Sequence, residues 1–165
     1  MTITCTKDTC QLKTKTTTLD VRLREPLASG SWFQINTTEL PAPGEYEVGE
    51  IFAEITADIA HFHIEDMVVV VRLENNPPLT NDDLASLERV DLFLLVPKSE
   101  EKEDLEAAIK ISTKIEPRAV LLAGIESSDA IARLESQSPE LIETLKITAK
   151  DLPEEGRRLY LFKTR

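Results

Sequence analysis

The sequence predicts an α/β protein with two mostly mixed β-layers, and three observations carry that reading. Met67–Val71, Val90–Val96 and Ala119–Ala123 are short, almost wholly apolar runs rich in Val and Leu. Such runs read as central strands buried on both faces. The segments between them carry helical signals, as crossovers between parallel strands require. Before residue 60 the chain is nearly all strand, so an all-β half precedes a half alternating strand and helix. At 165 residues the chain is one domain, 1–165, long enough to bury a real core.

In order, residues 2–22 alternate as a strand meander, with Ile3 and Cys5, Cys10 and Leu12, then Leu19, Val21 and Leu23 on one face. Lys13-Thr14-Lys15 makes a turn, and Pro26 and Gly30 mark a connection. Trp32, Phe33 and Ile35 form a short strand before Pro41-Ala42-Pro43-Gly44. Glu45–Ala57 reads as one long strand whose phase shifts at a bulge, Gly49-Glu50. Ile59–Ile64 and Met67–Val71 form a hairpin with Glu65-Asp66 at its tip.

Thr80-Asn81-Asp82-Asp83 is a capping box with Asp in place of Glu, opening a short helix. Ser99-Glu100-Glu101 places carboxylates at a second helix start, and Leu105, Ala108, Ile109 and Ile115 face the sheet until Pro117 ends it. After Ala119–Ala123, Gly124 is the exit, and Ser127 or Ser128 caps a third helix through Leu134. Leu145, Ile147 and Leu159–Phe162 return to strand.

Composition narrows the function. The net charge is -11, with no basic cluster, which argues against a nucleic-acid or anionic-membrane surface. No run approaches the ~20 apolar residues of a membrane span. Two cysteines are too few for a zinc ribbon; read as free thiols, with no export signal in MTITCTKDTC, they predict the cytoplasm. Five glycines and no G-x-S-x-G leave neither a phosphate-cradling loop nor a nucleophile elbow. Cys10 reads as a small buried hydrophobe, and Glu100, Glu101, Glu103 and Asp104 as a solvated helix start.

Three stretches resemble one family. Pro43-Gly44-Glu45-Tyr46-Glu47-Val48 resembles the PGEYEV turn-strand of the metallo-β-lactamase-fold hydrolases, in their ascorbate-6-phosphate lactonase-like branch. Leu79–Leu84 followed by Val90–Pro97 is similar to that branch's "LTDEQL … VDVLLVPV", and Leu145–Pro153 to its closing segment. The resemblance covers about residues 40–165 and implies a two-sheet sandwich with outer helices, trimmed here in the N-terminal half. It also implies a dinuclear site of Zn or Mn held by five or six His and Asp ligands.

The chain departs from that pattern at each ligand segment. Val21–Pro43, where the histidine-rich loop belongs, contains no His. Asn75 stands at the bridging-aspartate position and Gly124 at that of the last histidine. The glycines after the Val90–Val96 strand are replaced around Lys98, Ser99 and Glu100.

These departures predict a non-catalytic protein with no cofactor, which uses the fold for binding or assembly, because losing even two ligands cripples a two-metal mechanism. The alternative is a metal-dependent hydrolase with non-standard ligands, His61, His63 and Asp66, or with ligands from a partner chain. His61-Phe62-His63-Ile64-Glu65-Asp66 imitates H-x-H-x-x-D, but inside an alternating strand its two histidines read as one exposed strand face. Arg72 and Lys98, near the ends of adjacent strands, are a possible anion site; they could equally pair with Glu74 and Glu100. Trp32, Phe33, Ile51, Phe52 and Ile55 have no helix before residue 60 to cover them, which predicts a homodimer through the N-terminal β-half.

Overall fold

The computed structural model describes residues 1–57, 59–73, 79–87, 89–126, 128–134 and 137–163. The chain runs β1 (Thr2–Cys5), β2 (Thr9–Lys13), β3 (Thr18–Arg22), β4 (Phe33–Ile35), β5 (Thr38–Leu40), β6 (Gly44–Val48), β7 (Ile51–Ile55), β8 (Ala60–Ile64) and β9 (Met67–Arg72). It continues through α1 (Asn81–Ser86), β10 (Leu92–Leu95), α2 (Lys102–Ile115), β11 (Ala119–Leu122) and α3 (Ser128–Leu134). The last strands are β12 (Glu140–Ile142), β13 (Thr144–Lys146) and β14 (Arg158–Phe162).

These strands form two sheets. The smaller is antiparallel and six-stranded, ordered β13-β1-β2-β3-β4-β5. The larger is eight-stranded, ordered β12-β14-β11-β10-β9-β8-β7-β6. It is parallel from β12 to β9 and antiparallel from β9 to β6. The three apolar runs therefore occupy the interior of the larger sheet, as their composition predicts.

Alternation along each strand divides the side chains between two cores. Ile3, Leu12, Leu19 and Val21 from the smaller sheet pack in one cluster with Ile51, Phe62, Val69, Leu94 and Leu121 from the larger. The opposite face of the larger sheet, through Val70, Phe93, Val120 and Leu161, buries Leu105 and Ala108 of α2 and Ile131 of α3. The layers are thus sheet, sheet, helices. Among the described residues the sandwich has helices outside one sheet only, because the segment before residue 60 is strand and connection.

Several elements differ from the sequence reading. The long strand over Glu45–Ala57 is a hairpin of β6 and β7, and the phase shift at Gly49-Glu50 is a tight turn rather than a bulge. Gly49 has φ +60, and a Cβ there would lie 2.9 Å from Thr17 Oγ1, so the turn needs glycine. The short strands β5 and β12 carry too few residues to show a period. The cysteines are not free thiols: Cys5 and Cys10 form a disulfide. The turn between β1 and β2 sets Cys5 directly opposite Cys10, with Cα atoms 4.0 Å apart. The inference from free thiols to a reducing compartment loses that support.

The apolar residues of the N-terminal half find cover inside the chain. Phe33, Ile51 and Ile55 are buried between the sheets and Trp32 packs against the same cluster. Phe52 remains 39 % exposed, so the apolar area available to a two-fold contact is small. Among the described residues, no helix is long and apolar enough to cross a membrane.

Candidate functional site

The parallel strands β9, β10 and β11 lie side by side and in register, so their carboxyl ends open together at one edge of the sheet. In α/β sheets that edge is where ligands bind. It has two faces here, one toward the helices and one toward the smaller sheet.

On the helix face, Arg72 and Lys98 border one cavity of about 180 Å³, together with Asp104 of α2. Arg72 is the last residue of β9, opposite Leu95 of β10, and its alternation points it under α2. The β10 strand is apolar to its end, so Lys98, just beyond it, is the first cation to emerge on that neighbouring strand. The Arg72 side chain is 6 % exposed, and Leu95, Ala108 and Ile111 supply apolar walls. Asp104 is oriented by the Ser99 hydroxyl, which donates to its carboxylate at 2.6 Å. Glu100, one partner considered for Lys98, instead accepts from the Glu126 backbone N–H. Glu74, considered for Arg72, lies outside the described residues, as does Asn75. Arg72 and Lys98, which the sequence places near the ends of adjacent strands, line this cavity with Asp104, which the sequence reads as part of a solvated helix start.

On the inter-sheet face, Arg24 reaches across from the end of the smaller sheet. Its Nη2 donates to the carbonyl of Gly124, just past β11, at 2.6 Å. Gly124 has φ +77, and a Cβ there would lie 3.3 Å from Arg24 Nη2 and 3.6 Å from Val96 Cγ1. Nothing local in the sequence marks Arg24, whose partner is 100 residues away. Trp32, Leu40, Pro41, Pro43, Ile55 and Leu73 line a separate cleft of about 330 Å³.

The two histidines lie elsewhere. Ala60, Phe62 and Ile64 of β8 point into the core between the sheets, so His61 and His63 point away from it. His61 is half-buried opposite Glu54, and His63 is exposed opposite Phe52, with ring centroids 5.8 Å apart. Burial lowers the pKa of His61; the Glu54 carboxylate opposes that shift and His63 adds to it. Both histidines border a cavity of about 220 Å³ with Ser86 and Arg89. Asp66 sits at the hairpin tip with φ 62 and shares a separate cleft with His63 but not with His61. Among the described residues, no three His, Cys, Asp or Glu side chains gather where a metal ion could be held.

The residues at the implied metal position do not fit a divalent cation. Gly124, at a position that the resemblance assigns to a ligand, has positive φ and no side chain, a guanidinium stands against its carbonyl, and both histidines face the other side of the sheet.

No family model matches the chain, and no curated protein matches its sequence. Its fold matches a crystal structure from Thermotoga maritima, that of a proposed Zn-dependent hydrolase of the metallo-β-lactamase superfamily. The TM-score is 0.72 with 14 % identity, over 99 % of each chain. The chain therefore has a metallo-β-lactamase-like α/β fold.

Proposed function

We propose that this chain is a non-catalytic protein of the metallo-β-lactamase fold, related to the ascorbate-6-phosphate lactonase-like branch, which binds a small anion between Arg72 and Lys98. The single observation that carries this reading is the placement of charge at the carboxyl ends of the parallel strands. Cationic side chains stand there, and the chain's only two histidines lie on β8, facing away from the inter-sheet crevice. A hydrolase of this fold needs imidazole and carboxylate ligands at that end to hold its metals. The cations favour binding an anion instead, and the exposed Lys98 supplies a charge that a ligand entering the cavity would meet. A cavity of about 180 Å³ limits the ligand to something smaller than a drug-sized molecule. The branch assignment is supported by the PGEYEV stretch, which forms edge strand β6, and by the stretch that forms β10.

Two measurements on the purified chain test this. Elemental analysis after growth with Zn and Mn is expected to find no stoichiometric metal. Titration calorimetry with inorganic phosphate and with acetate is expected to show binding by at least one of them. Lys98→Gln should weaken that binding about fivefold, ~1 kcal/mol, with the melting temperature unchanged. About one metal per chain, lost together with hydrolytic activity in a His61→Ala, His63→Ala variant, would overturn the reading in favour of a hydrolase with non-standard ligands.

A further inference from the structure

The two sheets end in four edge strands, β13, β5, β12 and β6. β5, β12 and β13 have 3 residues each, whereas β6 has 5, paired with β7 in unbroken register from Gly44↔Ile55 to Val48↔Ile51. The other side of β6 pairs with no strand among the described residues. It has no bulge, and Pro43 stands before it rather than within it. An edge of this kind is open to a further strand.

The hairpin decides which groups face outward. Its two-residue turn, Gly49-Glu50, makes Val48 and Ile51 a pair that exchanges both main-chain bonds. Alternation extends this to Tyr46 with Ala53 and Gly44 with Ile55, so the N–H and C=O of Glu45 and Glu47 point away from β7. Ile51, Ala53 and Ile55 are buried between the sheets, which puts Phe52 and Glu54 on the outer face with their cross-strand partners Glu47 and Glu45. Tyr46 and Val48 lie half-buried on the inner face, against the core. Glu45 and Glu47 are exposed, and neither forms an ion pair among the described residues.

We propose that β6 is a docking edge for an extended, basic segment of another protein. That segment adds to the larger sheet as a further strand, with basic side chains opposite Glu45 and Glu47 and an apolar one opposite Tyr46. Glu45 and Glu47 each supply one N–H and one C=O to the new ladder. Charge complementarity selects the occupant: the net charge of -11 draws a basic segment in, and opposite charges across a strand pair attract. A second copy fits this edge poorly. An antiparallel two-fold centred on Tyr46 would set the Glu45 of each chain against the Glu47 of the other, and like charges directly opposite are destabilising.

The probe is a capped peptide of about six residues that alternates Lys with Val, added to the full chain. Amide exchange read by NMR is expected to show Tyr46 and Val48 protected and Glu45 and Glu47 exchanging freely without peptide; adding it should protect Glu45 and Glu47. A peptide of the same composition with its lysines in one block should bind about fivefold more weakly, since it cannot match the alternation. Glu45→Gln with Glu47→Gln keeps the main chain and should weaken the alternating peptide about fivefold to tenfold. Glu47→Pro removes one outward N–H and leaves the bonds to β7 in place; it should weaken binding about tenfold. The block peptide binding as tightly as the alternating one would reduce the edge to a patch of charge and overturn the proposal. So would Glu45 and Glu47 amides protected in the free chain, which means an edge already covered. Free exchange of both at about 1 mM peptide would leave the carboxylates as a guard against pairing and overturn it equally. Light scattering at twice the chain mass, halved by Glu47→Pro, would seat a second copy on the edge instead.

Discussion

Replacing Asp91 by alanine tests how the sheet is fixed at the end opposite the cations. Asp91 is the one charged residue in the run Val90–Val96 and is 1 % exposed. Its carboxylate accepts from the Val68 backbone N–H at 2.9 Å, from Arg89 Nε at 3.2 Å and from Arg118 Nη1 at 3.1 Å. Arg118 also donates to the carbonyls of Leu152 and Pro153, both at 2.9 Å. One carboxylate thus ties together the entries to β9, β10 and β11 and the segment leading to β14. The Arg89 side chain is 64 % exposed, so its pairing adds little. The other two bonds are charge-assisted and partly buried, each worth about 1.5–3 kcal/mol. Arg118 keeps its two carbonyl partners, so its charge is not stranded when Asp91 goes, which places the loss at the low end for a broken buried pair, about 3 kcal/mol. For a chain of this size that is a fall of about 6–12 °C in melting temperature. Asp91→Asn keeps one acceptor and should lose about half as much. Differential scanning calorimetry reads both, and calorimetric titration should show anion affinity unchanged, since the cavity lies at the other end of the strands. Asp91→Ala melting within 2 °C of the wild type would refute the clamp.

Three further outcomes follow from the packing. The folded chain holds His61 below its ordinary pKa of 6.5, so the unfolded chain binds more protons as pH falls through that range. Stability is full above it and is lost as pH drops through the folded value; His61→Gln should flatten the decline in melting temperature between pH 7.5 and 5. Reducing the Cys5–Cys10 disulfide, which spans 5 residues, should cost about 2 kcal/mol, read as a fall of about 4–8 °C in reductant. Light scattering tests the expected homodimer: Phe33, Ile51 and Ile55 are covered internally and Phe52 is not, so twice the chain mass of 18.5 kDa, halved by Phe52→Glu, would support the two-fold and one chain mass would refute it.

Where the sequence reading succeeds, one short-range rule decides the outcome. Ile3, Leu12, Leu19 and Val21 alternate with polar neighbours and all four are buried. The Thr80 and Asp83 side chains form the capping box that their spacing predicts. His61 and His63 share the outward face of β8 because strand alternation leaves them no other. Where the reading fails, two arrangements share one pattern or the partners are remote. A bulge and a two-residue turn shift the period-two phase alike, so Gly49 does not distinguish them; the 2.9 Å approach to Thr17 does. Strand-end reasoning finds Arg72 and Lys98, but Asp104 joins them only because α2 packs across the sheet. Arg24 and Gly124 meet through the stacking of two sheets, which no window along the chain contains.

The bare outer face of the smaller sheet bears on both assembly and function. Across β1 to β4, the register sets Thr4, Gln11, Asp20 and Gln34 in one row, and Gln11 Nε2 donates to Asp20 Oδ1 at 2.9 Å. Such a row is suited to water, so this stretch of the sheet, uncovered by helix among the described residues, offers a partner little apolar surface. Recognition must then fall on local features of the surface. The chain carries -11, which repels anions at long range, yet Arg24, Arg72 and Lys98 all stand at the carboxyl ends of the parallel strands. Selectivity at that end is set by the groups that position these cations. Gly124 gives up its side chain to seat Arg24, and Asp104, held by Ser99, faces Arg72 and Lys98 across the cavity. Arg72, Lys98 and Asp104 line one cavity and the Asp83 carboxylate also lies within electrostatic reach of Arg72, so acid and base together set the field a ligand meets at that end.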